Sequence, residues 1–504
     1  MLEFIRSHFR FFGGISLLFG LVSAFCFYRA GLGLSFLVFV TAVCVLLILC
    51  MKKLNLPLKR FTLFLYAVSI LLACTTVFTA NGTMQFLTVC GILLLLDLSL
   101  IHQTAEDARF SFLEFLLRIF KLPFGVLSAI GFPFTDCFRF AGRSRLFKNN
   151  TLRSVFFGLL AALPILGILI VLLSGADMVF SRIAGTLVNH LFFTSDPFFL
   201  FLMVLTGFIV CYAILCAAAG MAPDGRLSDI LFPETSGFQT DTEHRSAAPC
   251  SRKEAPPRKK PDYVFLSTIL TCITLVYLVF CVIQILYLFA GGLFTLPEQF
   301  TYSEYARTGF FQLLFVACIN FAILILCLAG DGQTKLLNIL LTVMSGCTFI
   351  MIASAAYRMC LYVASYHLTL LRLLVLFFLS VLAVLMAGGT AAVYRRSFPL
   401  FFYTAAVISV SFLLLCAARP DTVIARYNIA AEQEPSDADV QYLISLSADA
   451  APYVLSFLDS SPQLAETYEY EAADYRKELV SRYESRGIRD FNYSLWRAAR
   501  KARD

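Results

Sequence analysis

Eleven apolar runs, each 18 to 28 residues long and carrying few charges, constrain this chain more than any other feature. They cover residues 11–28, 32–51, 61–80, 84–101, 154–174, 197–219, 263–290, 309–329, 335–362, 368–393 and 400–418. At 1.5 Å of rise per helical residue, each is long enough to cross a hydrocarbon core about 30 Å thick. Inside that core every backbone N–H and C=O must find its partner within the segment, which leaves the helix as the conformation open to such runs. The expected fold class is therefore all-α: an integral membrane helical bundle of eleven spans with a helical C-terminal tail.

Composition narrows the function classes. Only 14% of the 504 residues are charged, against about 25% in a soluble chain. The net charge of +7 comes from Lys and Arg in short connectors, so it sets membrane orientation and implies no nucleic acid. Nearly all of the 16 cysteines fall inside the apolar runs, with no Cys-x-x-Cys or Cys/His ligand spacing. They read as small hydrophobes rather than metal ligands. The five histidines, at 8, 102, 190, 244 and 367, are scattered, and no Ser/His/Asp, His-Glu-x-x-His or paired-carboxylate arrangement occurs. Gly330-Asp-Gly-Gln lacks the Gly-Lys-Ser/Thr ending of a phosphate loop. No cofactor or metal is expected.

The chain divides into six parts. Residues 1–101 form a four-helix membrane region; Arg6 and Arg10 before its first run resemble a secretory signal, but no small-x-small cleavage site follows, so that helix is expected to be retained. Residues 102–153 are a basic connector. Within it Glu114, Arg118 and Lys121 oppose Phe112, Phe115, Leu116, Ile119 and Phe120, the pattern of a helix lying in the membrane interface. Residues 154–219 supply spans five and six, with a short outer piece at 183–193 that reads as re-entrant or interfacial. Residues 220–262, rich in Pro, Ser, Asp and Lys, read as a disordered linker whose basic cluster at 252–260 contacts anionic lipid. Residues 263–418 carry spans seven to eleven, and residues 419–504 are the tail.

Lys and Arg concentrate in alternate connectors, at 1–10, 52–60, 102–153, 220–262, 330–335 and 394–396. By the positive-inside rule these lie in the cytoplasm, so the N-terminus is cytoplasmic and the tail is outside. Away from the outer rim the spans carry Asp97, Gln284, Asn320 and Asn338; Asp97 reads as a hydrated group near the headgroups, with a proton or ion ligand as the alternative.

This orientation gathers the unusual polar residues on the outer side. Tyr302-Ser-Glu-Tyr-Ala-Arg-Thr-Gly places Glu304, Tyr305 and Arg307 between two apolar runs, with Glu304 and Arg307 three apart and so able to pair on one helical turn. Asp177 and Arg182 end the fifth span. Arg358 lies 23 residues after Lys335, and Arg372 lies 23 before Arg395, which places both at one depth, about 35 Å from the inner side. Tyr357 and His367 flank them. Two arginines at one level repel unless they share an anion. Asp177 and Glu304 would make this a structural charge network, whereas an external carboxylate or lipid phosphate would make it a binding site. In the tail, Ser436 caps a helix with Val440, Leu443 and Ile444; another has Pro452 in its first turn; a third is marked by Leu464, Tyr475, Leu479 and Tyr483; and Phe491-Asn-Tyr-Ser-Leu-Trp opens a basic fourth.

Several of these segments together resemble a bacterial group of polytopic membrane proteins known as the domain of unknown function 4173/4153 group. They are Ser174–Arg182, Glu304-Tyr-Ala-Arg-Thr-Gly-Phe310, Tyr357-Arg-Met with His367-Leu-Thr-x-x-Arg372, Ile424-Ala-Arg-Tyr-Asn428 and Leu446-Ser-Ala-Asp449. The resemblance runs from about residue 60 to the C-terminus. Met178 and His367 stand where the group's pattern carries proline and glycine. The resemblance implies a bacterial cytoplasmic membrane and no activity. The expected role is non-catalytic, in sensing, scaffolding or an envelope process. Its expected partners are membrane lipids, an anionic ligand or lipid headgroup at the outer face, and a protein bound through the tail. A transporter is the first alternative, and a membrane enzyme using Glu304, Asp177 and His367 is the second.

Overall fold

The computed structural model describes residues 1–104, 112–141, 196–220, 263–289, 310–328, 334–395, 397–431, 436–460 and 462–503. The fifth expected span, the piece at 183–193 and the 220–262 linker lie outside these residues. All regular structure among the described residues is helical. A short α1 (Leu2–Ser7) precedes α2 (Phe9–Phe27), α3 (Leu34–Lys53), α4 (Arg60–Phe78) and α5 (Gly82–Thr104). The connector forms α6 (Phe112–Ala129) and α7 (Gly131–Ala141), and α8 (Asp196–Gly220) completes the N-terminal half. The C-terminal half holds α9 (Tyr263–Phe289), α10 (Phe310–Leu328), α11 (Lys335–Tyr366), α12 (Leu370–Tyr394) and α13 (Leu400–Ala418).

Ten of these helices are long and apolar enough to cross a membrane. The connector was expected to hold one interfacial helix. It forms a pair bent by 46°, whose apolar length would count as an eleventh, broken crossing or a re-entrant loop. Large side chains such as Leu21, Phe86, Leu93, Val276 and Phe315 face outward, as a lipid solvent permits.

Two apolar cores hold the membrane part. One joins α2 to α6 with α8, around Phe12, Leu65, Leu72 and Tyr212. The other joins α9 to α12, around Phe310, Leu324, Leu341 and Met344. Between them, α13 reaches α12 on one side and α4 on the other. Ring contacts of Tyr28 with Phe199 and of Phe9 with Tyr212 show that α8 runs antiparallel to α2.

The tail folds into a cap with its own core of Val440, Leu443, Val454, Leu455, Leu479 and Leu495. It comprises α14 (Pro420–Ala431), α15 (Asp437–Ser445), α16 (Ala451–Leu458), α17 (Pro462–Thr467), α18 (Glu469–Glu484) and α19 (Tyr493–Arg503). Ser436 opens α15 by donating its N–H and hydroxyl to Asp439, and proline sits in the first turn of α16, as their sequences predict. The third expected helix breaks at Tyr468 into α17 and α18, and α14 had no counterpart in the sequence reading.

Candidate functional site

The cap sits on the end of the bundle where the α2–α3, α4–α5 and α11–α12 loops meet, and polar side chains make the joint. Asn81 begins α5: its carbonyl oxygen accepts from the Met84 N–H at 2.9 Å, which leaves its amide to donate to Asp421 at 2.8 Å. Asn492 does the same for α19, accepting from the Leu495 N–H at 3.0 Å and donating to the carbonyls of Thr76 (3.0 Å) and Thr79 (2.7 Å). Such N-capping satisfies backbone donors that a helix start leaves open. Here the same side chains also join cap to bundle.

Two buried carboxylates face this seam. Asp449 accepts from the Thr79 hydroxyl at 2.5 Å and the Ala80 N–H at 2.6 Å. Asp421 accepts from Asn81 and from the Ser447 N–H at 3.1 Å. Both are 3% exposed, and every one of these donors is neutral. Burial therefore pushes the Asp449 carboxyl above the usual range, with the Asp421 charge adding to it and the bonds from Thr79, Ser494 and Ala80 opposing it. Further bonds run from Ser35 N–H to the Arg489 carbonyl (2.7 Å) and from the Arg489 guanidinium to the Phe25 carbonyl (3.0 Å). Gly33 is needed here, because a Cβ would come within 2.7 Å of the Phe491 carbonyl oxygen.

At the α11–α12 tip, Asn428 of α14 grips the backbone of Leu368 on both sides, accepting from its N–H at 2.8 Å and donating to its carbonyl at 3.0 Å. His367 beside it has φ 63° and ψ 168°, a region that side-chain-bearing residues avoid and glycine tolerates. The glycine of the group's pattern thus matches a backbone requirement. His367 Nε2 lies 3.9 Å from Asp439 of the cap; the Ser436 hydroxyl above all, with a smaller contribution from the imidazole, holds the Asp439 carboxyl below the usual range.

Of the residues singled out from sequence, Asp177, Arg182, Glu304, Tyr305 and Arg307 lie outside the described residues. The others do not converge on one point. Arg372 donates to the carbonyls of Tyr366 and His367 and stacks over the Tyr362 ring at 4.3 Å, so it closes the C-terminus of α11. Arg358 is buried and donates to Gln284 Oε1 of α9 at 3.1 Å, beside the Ser354 hydroxyl, which does so at 2.6 Å. Tyr357 is exposed. The two arginines do not share a depth. Helix α11 continues to Tyr366, which places Arg358 about 12 Å below the tip, while Arg372 is in the first turn of α12.

Deeper in the bundle, Tyr277 donates to Asn320 at 2.8 Å, and Asn320 donates to Thr348 at 2.9 Å. At the opposite end Arg6 holds Asp136 through two nitrogens, each at 2.9 Å, and Tyr212 donates to the same carboxylate at 3.1 Å. That pairing raises Arg6 further above its ordinary value and ties α1 to α7 and α8. Among the described residues no group of three His, Cys, Asp or Glu could hold a metal ion. The chemistry of the capped end is that of hydrogen-bonded attachment. Sequence reasoning missed Asp421, Asn81 and Asn492. The one signal was that Asn428 and Asp449 close two of the segments that carry the family resemblance.

The sequence model of the family described as "Domain of unknown function (DUF4153)" matches residues 66–457. No curated protein and no solved structure matches the chain.

Proposed function

We propose, for a chain that belongs to the DUF4153 family of unknown function, a non-catalytic role as a membrane scaffold that presents its cap on the outer face of a bacterial cytoplasmic membrane. One observation carries this reading. The cap is hydrogen-bonded to three loops drawn from both halves of the bundle, through Arg489, Asn492 and Asp449 on one side and Asn428 on the other. A cap fixed to both halves opposes the rocking of one half against the other that alternating access requires. Some polar groups within the described spans bond to one another between helices, as Tyr277, Asn320 and Thr348 do. That is the pattern of helix association. The orientation follows from charge. Arg6, Arg10, Lys52, Lys53, Lys59, Arg60, Lys335 and Arg395 all lie at the uncapped end, whereas the three loops beneath the cap hold Arg29 alone.

Two measurements test it. A cysteine at exposed Ser456, in a tail that has none of its own, should react with a membrane-impermeant maleimide on intact cells; labelling only after lysis would place the cap in the cytoplasm. Amides of 421–429, 447–455 and 489–495 should exchange with deuterium as slowly as those of the spans. Fast exchange there would mean that the cap lifts off, and would return the transporter reading to first place.

A further inference from the structure

Four cations meet on the cap, and among the described residues none of them forms an ion pair with a carboxylate. Arg497, Arg500 and Lys501 of α19 are spaced i, i+3 and i+4, so they share one face, and Arg426 approaches from α14. The Tyr453 ring of α16 receives Arg426 at 5.7 Å and Arg497 at 5.8 Å, and Arg500 lies 5.8 Å over Trp496. With Pro452 and Ser456, Tyr453, Arg497, Arg500 and Lys501 line a cleft of about 400 Å³.

Three other arginines of the cap do pair with carboxylates: Arg476 with Asp459 at 2.6 Å, Arg503 with Glu484 at 2.7 Å, and Arg482 with Glu478 at 3.5 Å. Residues 419–504 contain more acids than bases, so a cluster of cations with no ion pair among the described residues is not what composition alone would give. The dipole at the C-terminus of α19 favours Arg500 and Lys501, but it accounts for neither Arg497, two turns earlier than Arg503, nor Arg426 on another helix. Buried Leu495, Ala498 and Ala499 fix α19 against the cap, so the backbone positions from which the cations extend are set before any ligand arrives.

We infer that this cleft binds a phosphate-bearing anion. Guanidinium forks match phosphate oxygens in pairs, a lysine adds a point charge, and clustered cations gain most from a ligand with more than one negative charge. The phosphate comes from a lipid headgroup or from a soluble compound. The inference rests on taking the cap as the working part of the protein, and it stands whichever side of the membrane the cap faces.

Trp496 is the only tryptophan in the chain and touches the site through Arg500, so its emission reports occupancy. The full chain, in lipid discs of phosphatidylcholine, is titrated with sodium phosphate and with sodium chloride at matched ionic strength. Phosphate should shift the emission saturably beyond chloride. Arg497→Gln with Lys501→Gln, which leaves the Arg500–Trp496 contact intact, should raise the midpoint by at least about tenfold. Arg426→Gln, on a different helix, should raise it too, and Arg482→Gln should not. Discs that also contain phosphatidylglycerol separate the sources. If the lipid headgroup is the ligand, they show the shifted emission before phosphate is added; if the ligand is soluble, the phosphate midpoint is the same in both. Identical responses to phosphate and chloride, or parent-like midpoints in both the α19 and the α14 variants, would overturn the site. A cap labelled only from the cytoplasm would overturn the scaffold's orientation and leave this titration unchanged.

Discussion

Both halves of the bundle carry polar bridges, Tyr212–Asp136 and Thr62–Gln103 in the first among them, but they differ in how closely their helix backbones approach. In the N-terminal half α2 and α8 cross backbone to backbone: a Cβ at Gly20 would collide with the Val204 carbonyl oxygen, and one at Gly207 would come within 2.8 Å of Gly20 Cα. In the C-terminal half, polar side chains span the gaps, with Tyr277–Asn320–Thr348 at one level and Ser354–Gln284–Arg358 at another. Its paired glycines, Gly388 and Gly389, face the Tyr403 ring and the end of Leu324 rather than backbone. In lipid no hydrophobic force drives helices together, so association depends on close van der Waals packing or on interhelical hydrogen bonds. Close packing tolerates no added atom. A hydrogen bond tolerates some adjustment, because a partner in a helix bundle is readily replaced.

That difference can be broken from the N-terminal side first. Gly20→Leu should have the largest effect, lowering stability by at least about 3 kcal/mol, since the atoms in its way are backbone; it is read as loss of the folded protein in detergent. Gly389→Ala, against the mobile end of Leu324, should cost distinctly less in the same assay.

The cap joins the halves, and Asp449→Ala should cost about 2 kcal/mol by leaving the Thr79 hydroxyl and Ala80 N–H without their acceptor. Unfolding followed by Trp496 emission measures it. The same residue gives the joint a pH dependence. Because burial raises its folded value, the stability it contributes is complete below the unfolded carboxylate range, about 4, and is lost as pH rises through the folded value. As pH falls through the folded value toward the unfolded range, the cap of the parent should therefore become more stable, and Asp449→Asn should flatten that slope. Asp439, whose carboxyl is lowered, works in the opposite sense. Its stabilisation is present above the unfolded range and lost below it, outside this window.

Asn320→Leu should cost about 1 kcal/mol, in line with interhelical hydrogen bonds in lipid. A loss as large as that of Gly20→Leu would erase the contrast between the halves. The smallest effect is expected at the tip of the α11–α12 hairpin. His367→Gly should stabilise the protein by up to about 1 kcal/mol, relief of the positive φ being partly offset by the greater freedom of unfolded glycine. A lower melting temperature would show that the imidazole, with Asp439 at 3.9 Å, matters more than the backbone.

Ten of the eleven spans expected from sequence coincide with helices, because a long apolar run leaves the backbone no partner but itself. Local capping was equally readable in Ser436 and Pro452. The bend between α6 and α7 was not, since the amphipathic pattern there fixes a face but not a break after Ala129. The outer cluster was legible only as a list of residues. Arg358 and Arg372 were expected to share an anion at one depth. Instead one reaches sideways to Gln284 and the other turns back over its own loop, a choice made by side-chain torsions and neighbours that spacing along the chain does not contain.

Sequence alone therefore determined the membrane-spanning helices, their number among the described residues to within one, and which connectors carry the positive charge. Each of these depends on interactions within a few turns of chain. Tertiary structure decided that Asp449 would meet Thr79, 370 residues away, and that Asn428 would grip Leu368. A polar residue in a loop has many possible partners. Burial makes one of them obligatory, and which one is buried with it depends on how the halves and the cap come together.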